Sequence, residues 1–123
     1  MPFSVCVFCG SRMGEDVVFR DATENFGREL GERGMGLVYG GGQVGLMGIL
    51  ADAVLDSGGQ VVGIIPDFLG SAEVMHPGIT QTIEVDDLFE RKALMIEHAD
   101  AFVALPGGIG TLDEILEVIA WRQ

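Results

Sequence analysis

Basic residues are scarce. The 123-residue chain has 7 Lys+Arg against 19 Asp+Glu, for a formal net charge of −12. Nucleic-acid binding needs a broad basic face that displaces condensed counterions, and so few scattered cations cannot build one. Nucleic acid and anionic membrane surfaces are therefore disfavoured as partners. An anionic small molecule is not, because a few oriented main-chain N–H groups bind one even inside an acidic protein. Cysteine is nearly lacking as well, with only Cys6 and Cys9. Their C-x-x-C spacing falls within the apolar run Phe3–Cys9, which reads as a strand, and there an offset of three points side chains to opposite faces. One pair also lacks the further ligands of a zinc site. Two buried small hydrophobes in a reducing cytoplasm are the expectation. No basic segment followed by an apolar one opens the chain, so no signal peptide is expected. The longest uncharged, largely apolar stretch, Gly34–Ala51, contains the turn cluster Gly40–Gly42. It falls short of the ~20 strongly apolar residues that span a bilayer. Repeats, linkers and low-complexity segments are also missing, so residues 1–123 are expected to form one domain.

Apolar residues, by contrast, are abundant. They make up 48% of the chain before its 19 glycines are added, against about 45–50% with glycine included in an ordinary soluble domain. Strand-like and helix-like runs alternate throughout. Phe3–Cys9 is nearly all apolar and suits a strand buried on both faces. Glu15–Arg33 has helical spacing, which predicts a buried stripe of Val18, Ala22, Phe26 and Leu30. Gly34 ends that helix. Leu37–Tyr39, Gln60–Ile65, Gln81–Val85 and Ala101–Leu105 read as further strands. Val44–Leu55, Asp86–His98 and Thr111–Gln123 read as helices, with Asp86 or Asp87 near the cap of the second of these. Asp67–Gly78 reads as irregular, with a turn at Pro77-Gly78. This alternation predicts an α/β fold, a Rossmann-like doubly wound parallel sheet. The last strand is expected at a sheet edge, and surplus apolar surface suggests self-association.

Ligands of doubly wound sheets sit at the carboxyl ends of the strands. Three such ends carry glycines between a strand and a helix: Cys9-Gly10-Ser11-Arg12, Tyr39-Gly40-Gly41-Gly42-Gln43-Val44-Gly45, and Leu105 through Glu114. Glycine lets a backbone approach a ligand closely, and free helix N–H groups favour a phosphate. Gly40, Gly42 and Gly45 fit G-x-G-x-x-G, but the acidic residue that should end the next strand is absent, because that strand ends Ile64-Ile65-Pro66. A tight turn with close helix–sheet packing explains the same glycines. Thr111-x-x-Glu114 also has the spacing of a capping box. On spacing alone Arg91 is a helix arginine paired with Asp87, a contact of about 0.2–0.5 kcal/mol. His76 and His98 lack metal-ligand spacing, and Met47 and Met95 read as core filler.

The segment PGGIGTLDE, Pro106–Glu114, resembles the PGGxGTxxE motif of the LONELY GUY family, the cytokinin riboside 5′-monophosphate phosphoribohydrolases formerly labelled lysine decarboxylases. VFCGSRMG, LVYGGGQVGLMG, ADAVLDSGGQVVGIIP, ERKALM and ADAFVALPGGIGTLDE are similar to successive family blocks and cover nearly the whole chain. The resemblance implies hydrolysis of the N-glycosidic bond of a purine nucleoside 5′-monophosphate, giving free base and ribose 5-phosphate without a cofactor or metal. It maps the catalytic pair onto Arg91 and Glu114. Ser11, Gly41, Gly42, Arg91, Lys92, Pro106, Gly107, Gly108, Ile109, Gly110 and Thr111 become candidate substrate-binding residues, although Lys92 on spacing alone is a surface residue. Leu88 and Phe89 depart from the family's usual Met-His. Family members form homodimers or larger assemblies, which is the expectation here. They usually continue past this last helix, so the chain is expected to be C-terminally shortened. A non-catalytic carrier resembling the molybdenum-cofactor carrier proteins, an inactive shortened homologue, and a dinucleotide oxidoreductase are the alternatives.

Overall fold

The computed structural model describes residues 2–8, 17–66, 75–105 and 119–120. Five strands, β1 (Ser4–Phe8), β2 (Gly36–Tyr39), β3 (Val61–Pro66), β4 (Gln81–Val85) and β5 (Ala101–Ala104), form one sheet. Three helices, α1 (Val17–Glu32), α2 (Gly45–Asp56) and α3 (Leu88–His98), lie between them in the chain. The strand order is β4-β3-β2-β1-β5, and every pairing is parallel. The α/β reading is thus correct, and among the described residues β5 is an edge strand, as expected.

Both faces of the sheet are covered because alternate residues of each strand point to opposite sides. Val5 and Val7 of β1 join Leu37, Tyr39 and Val61 in a core against Leu30 of α1 and Leu50, Ala51 and Val54 of α2. Cys6 and Phe8 face the other way, joining Val38, Ile64 and Val85 against Met95 of α3. Cys6 is fully buried, in keeping with a small hydrophobe.

The stripe predicted for α1 is corrected by the structure. Leu30 is buried and Phe26 half-buried, but Val18 is 65% exposed and Ala22 is exposed too. The buried face is Thr23, Gly27, Leu30 and Gly31. Glycine carries no hydrophobic signal in a periodicity count, yet it forms the contact. A Cβ on Gly27 would stand 2.8 Å from Ala53 Cβ, and one on Gly31 would stand 2.6 Å from Ser57 Cβ and 2.8 Å from the Val54 carbonyl. The two helices therefore touch backbone to backbone. Buried Thr23 is satisfied by donating to the Phe19 carbonyl at 2.7 Å. Gly31→Ala is expected to destabilise the protein by about 1–3 kcal/mol through overpacking, outweighing about 1 kcal/mol of helix propensity gained. A rise in the denaturant midpoint of this variant would contradict the close contact.

Both helices of this layer end alike. Gly34, at φ 71°, donates to Gly31 O at 3.1 Å while Met35 donates to Leu30 O at 2.9 Å. Gly58, at φ 84°, and Gly59 repeat the pattern on Leu55 and Val54. These paired bonds satisfy the last helical carbonyls and require a left-handed residue, which glycine supplies without strain. They return the chain to the sheet at β2 and β3.

Candidate functional site

In the strand order, direction reverses between β1 and β5, the switch point at which ligands of such sheets bind. The two strands end level with each other, Phe8 opposite Ala104, with Leu105 N–H on the Phe8 carbonyl at 2.8 Å. Ser11, Pro106, Gly107, Gly108, Ile109, Gly110, Thr111 and Glu114, which follow these ends in the chain, lie outside the described residues.

One guanidinium is built into this end of the molecule from α3. Asp87 caps that helix, accepting from Glu90 N–H at 2.7 Å, and the Glu90 carboxylate accepts from Asp86 N–H at 3.2 Å. The cap sets where the first turn begins and hence where Arg91 points. Asp87 is therefore a helix cap rather than the ion-pair partner that spacing alone suggested. Arg91 instead reaches the strands. Its Nε donates to the Ile64 carbonyl of β3 at 2.9 Å, and its Nη2 donates to the Gly40 carbonyl, just past β2, at 3.1 Å. Two charge-assisted bonds to different strands fix the plane of the guanidinium. Arg28 and Arg33, by contrast, are exposed and paired with Glu24 and Glu29 one turn earlier on α1.

Gly40 makes this seat. A Cβ there would collide with Arg91 Nη2, so only glycine leaves room for the guanidinium. The guanidinium lines a partly open pocket of about 20 Å³ together with Tyr39, Gly40, Met47 and Met95 among others, room for about one water. Gly41, at φ 83°, lies flat on β3, where a Cβ on Gly63 would stand 2.7 Å from its Cα. Gly41 and Gly42 are both buried at the carboxyl end of β2. The Gly42 carbonyl accepts from Tyr39 Oη at 2.7 Å, and the Gly41 carbonyl accepts from His76 N–H at 2.9 Å. Close packing thus accounts for the first two glycines of the run. Lys92, next to Arg91 on α3, is half-buried. Leu88 and Phe89 at the start of that helix are 47% and 66% exposed.

The structure adds residues that sequence reasoning passed over. In the sequence Gly40 is one glycine of a run, with nothing local to tie it to Arg91. His76 lacks metal-ligand spacing, yet it bonds the glycine turn and Asp52 of α2. The one local signal was its place just before Pro77-Gly78. Among the described residues no group of three His, Cys, Asp or Glu side chains could hold a metal, and no helix is long and apolar enough to cross a membrane.

Known proteins resemble the chain in sequence and in fold. Residues 47–123 match the family model described as possible lysine decarboxylase. The probable cytokinin riboside 5′-monophosphate phosphoribohydrolase LOGL1 of Oryza sativa subsp. japonica is 51% identical over 119 residues, which are 97% of this chain and 53% of that protein. Cytokinin riboside 5′-monophosphate phosphoribohydrolase LOG1 of Arabidopsis thaliana is 49% identical over 119 residues, 97% of this chain and 56% of that one. The chain thus spans about half the length of the curated relatives it matches. Among solved structures, the X-ray structure of TM1055 superimposes with a TM-score of 0.79 at 31% identity, covering 98% of this chain and 70% of that one. The molybdenum cofactor carrier protein of Chlamydomonas reinhardtii gives a TM-score of 0.84 at 18% identity, covering 100% and 74%, and shares the fold alone. The chain belongs to the possible lysine decarboxylase family, the LONELY GUY family that its glycine and arginine motifs resemble.

Proposed function

We propose that the chain hydrolyses the N-glycosidic bond of a purine nucleoside 5′-monophosphate. The observation that carries this reading is the seat of Arg91, in a chain about half identical to proteins named as phosphoribohydrolases of cytokinin riboside 5′-monophosphate. In the reaction the C1′–N bond of the nucleotide breaks and its electron pair leaves with the base. Water supplies the new C1′–O bond, and its two protons end on the base and on the C1′ hydroxyl. Positive charge builds on the sugar as the bond breaks, and a carboxylate nearby offsets it and takes a proton from water. We assign that work to Glu114. Arg91, fixed in plane by two carbonyls, holds the leaving base or the phosphate through its fork of donors. Gly107, Gly108, Ile109, Gly110 and Thr111, leading into a helix in the sequence reading, cradle the phosphate with main-chain N–H groups, and Pro106, which has no N–H to give, shapes the entry to that loop. Ser11, Gly41, Gly42 and Lys92 complete the binding set. Water is the sole co-reactant that the balance requires.

The 5′-phosphate should therefore be needed for turnover. Adenosine is expected to release adenine far more slowly than AMP, and ribose 5-phosphate is expected to compete. Equal rates on the two substrates would remove the phosphate cradle from the account. The working form is proposed to be a homodimer or larger assembly in the cytoplasm, and exposed apolar side chains such as Val17, Val44 and Leu88 support the self-association. Sedimentation at micromolar concentration is expected to show it, and a clean monomer would contradict it.

A further inference from the structure

Between β3 and β4 the chain comes back to the sheet at Met75, which forms an antiparallel bridge with Gly42. His76 follows, and its main-chain N–H donates to the Gly41 carbonyl at 2.9 Å. Its ring is held at both nitrogens. Nδ1 accepts from Gly78 N–H at 3.0 Å, and Nε2 lies 2.6 Å from Asp52 Oδ1 on α2. A main-chain N–H can only donate, so Nδ1 carries the lone pair and the proton sits on Nε2, aimed at the carboxylate. The His76 side chain is 10% exposed and that of Asp52 64%. With Nδ1 filled by Gly78 and Nε2–H directed at Asp52, the ring has neither the lone pair nor the proton that a general acid or base would use on substrate.

What the ring does is anchor the main chain at His76, whose N–H holds the glycine turn. Gly40 and Gly41 are consecutive, and their carbonyls are held by groups tied to α3 and α2, helices that pack in different core clusters. The Arg91 guanidinium of α3 takes Gly40 O, and the main-chain N–H of His76, whose ring is tied to α2, takes Gly41 O. Gly41, whose two flanking peptides carry these carbonyls, therefore links the arginine to the histidine. We infer that Asp52 and His76 form a positioning pair for the arginine site, fixing Gly41 and through it the Gly40 carbonyl that seats Arg91. The kinetic consequence rests on the phosphoribohydrolase reading, and the geometric one does not.

Asp52 is exposed on a helix, so Asp52→Ala removes the partner of the ring without touching the core. Asp52→Asn keeps an oxygen to accept from Nε2–H. The experiment follows the Arg91 Nε–H resonance in the nitrogen-15-labelled chain, together with kcat and KM for base release from AMP. In Asp52→Ala and His76→Ala the Arg91 Nε–H is expected to exchange with solvent at least about tenfold faster. The value of kcat is expected to fall by about ten- to a hundredfold, the scale of a small misplacement of a catalytic group. Asp52→Asn is expected to restore both. An Arg91 Nε–H that exchanges at the parent rate in Asp52→Ala overturns the inference, whatever happens to the melting temperature. Should His76→Ala fail to fold, Asp52→Ala decides alone. Should the parent chain release no base, the enzymatic reading falls and the exchange rate still decides this one.

Discussion

Gly40→Ala is expected to cut base release by about a hundredfold while leaving the protein folded. The new methyl group would occupy the place of Arg91 Nη2. That atom ends a flexible side chain, so the arginine yields rather than the backbone, at about 0.5–1.5 kcal/mol for a displaced rotamer. Gly40 is not among the glycines with positive φ, so alanine adds no backbone strain there. The guanidinium then loses its bond to the Gly40 carbonyl and its fixed plane. Arg91→Ala should abolish turnover by the direct route, and the pair separates position from presence. Circular dichroism and the melting temperature report the fold, and chromatography of released adenine reports activity. Parent-like turnover in Gly40→Ala would show that the seat of Arg91 is irrelevant to catalysis.

Glu114→Gln tests the other proposed catalyst, because its two roles predict opposite results. A capping box accepts glutamine as well as glutamate, and losing the charge near a helix start costs about 0.3–1 kcal/mol. As a catalyst the amide fails, since it takes no proton from water and offsets no charge on the ribose. The variant is expected to melt close to the parent, bind AMP, and release adenine at least about a hundredfold more slowly. Near-parent turnover would make Glu114 a cap.

The order of strands and helices was legible because four of the five strands are apolar runs, β4 has alternating apolar Ile83 and Val85, and each helix has its own period. Gln81–Val85 was placed to the residue, and Asp87 was among the expected caps. The packing face of α1 was not legible, because Gly27 and Gly31 contribute contact through what they lack. The setting of Arg91 was not legible either. Spacing offered only Asp87, four residues away, whereas the guanidinium binds carbonyls 27 and 51 residues distant in sequence. His76 was missed for the same reason, since Asp52 stands 24 residues before it. The motif carrying Glu114 was plain in the sequence, and its residues lie outside those described in the structure.

Product analysis of AMP incubated with the chain tests the central claim most directly. The account predicts adenine and ribose 5-phosphate in equal amounts, formed without added phosphate and lost in Arg91→Ala. AMP that is bound but recovered intact, or adenosine with free phosphate as products, would contradict it.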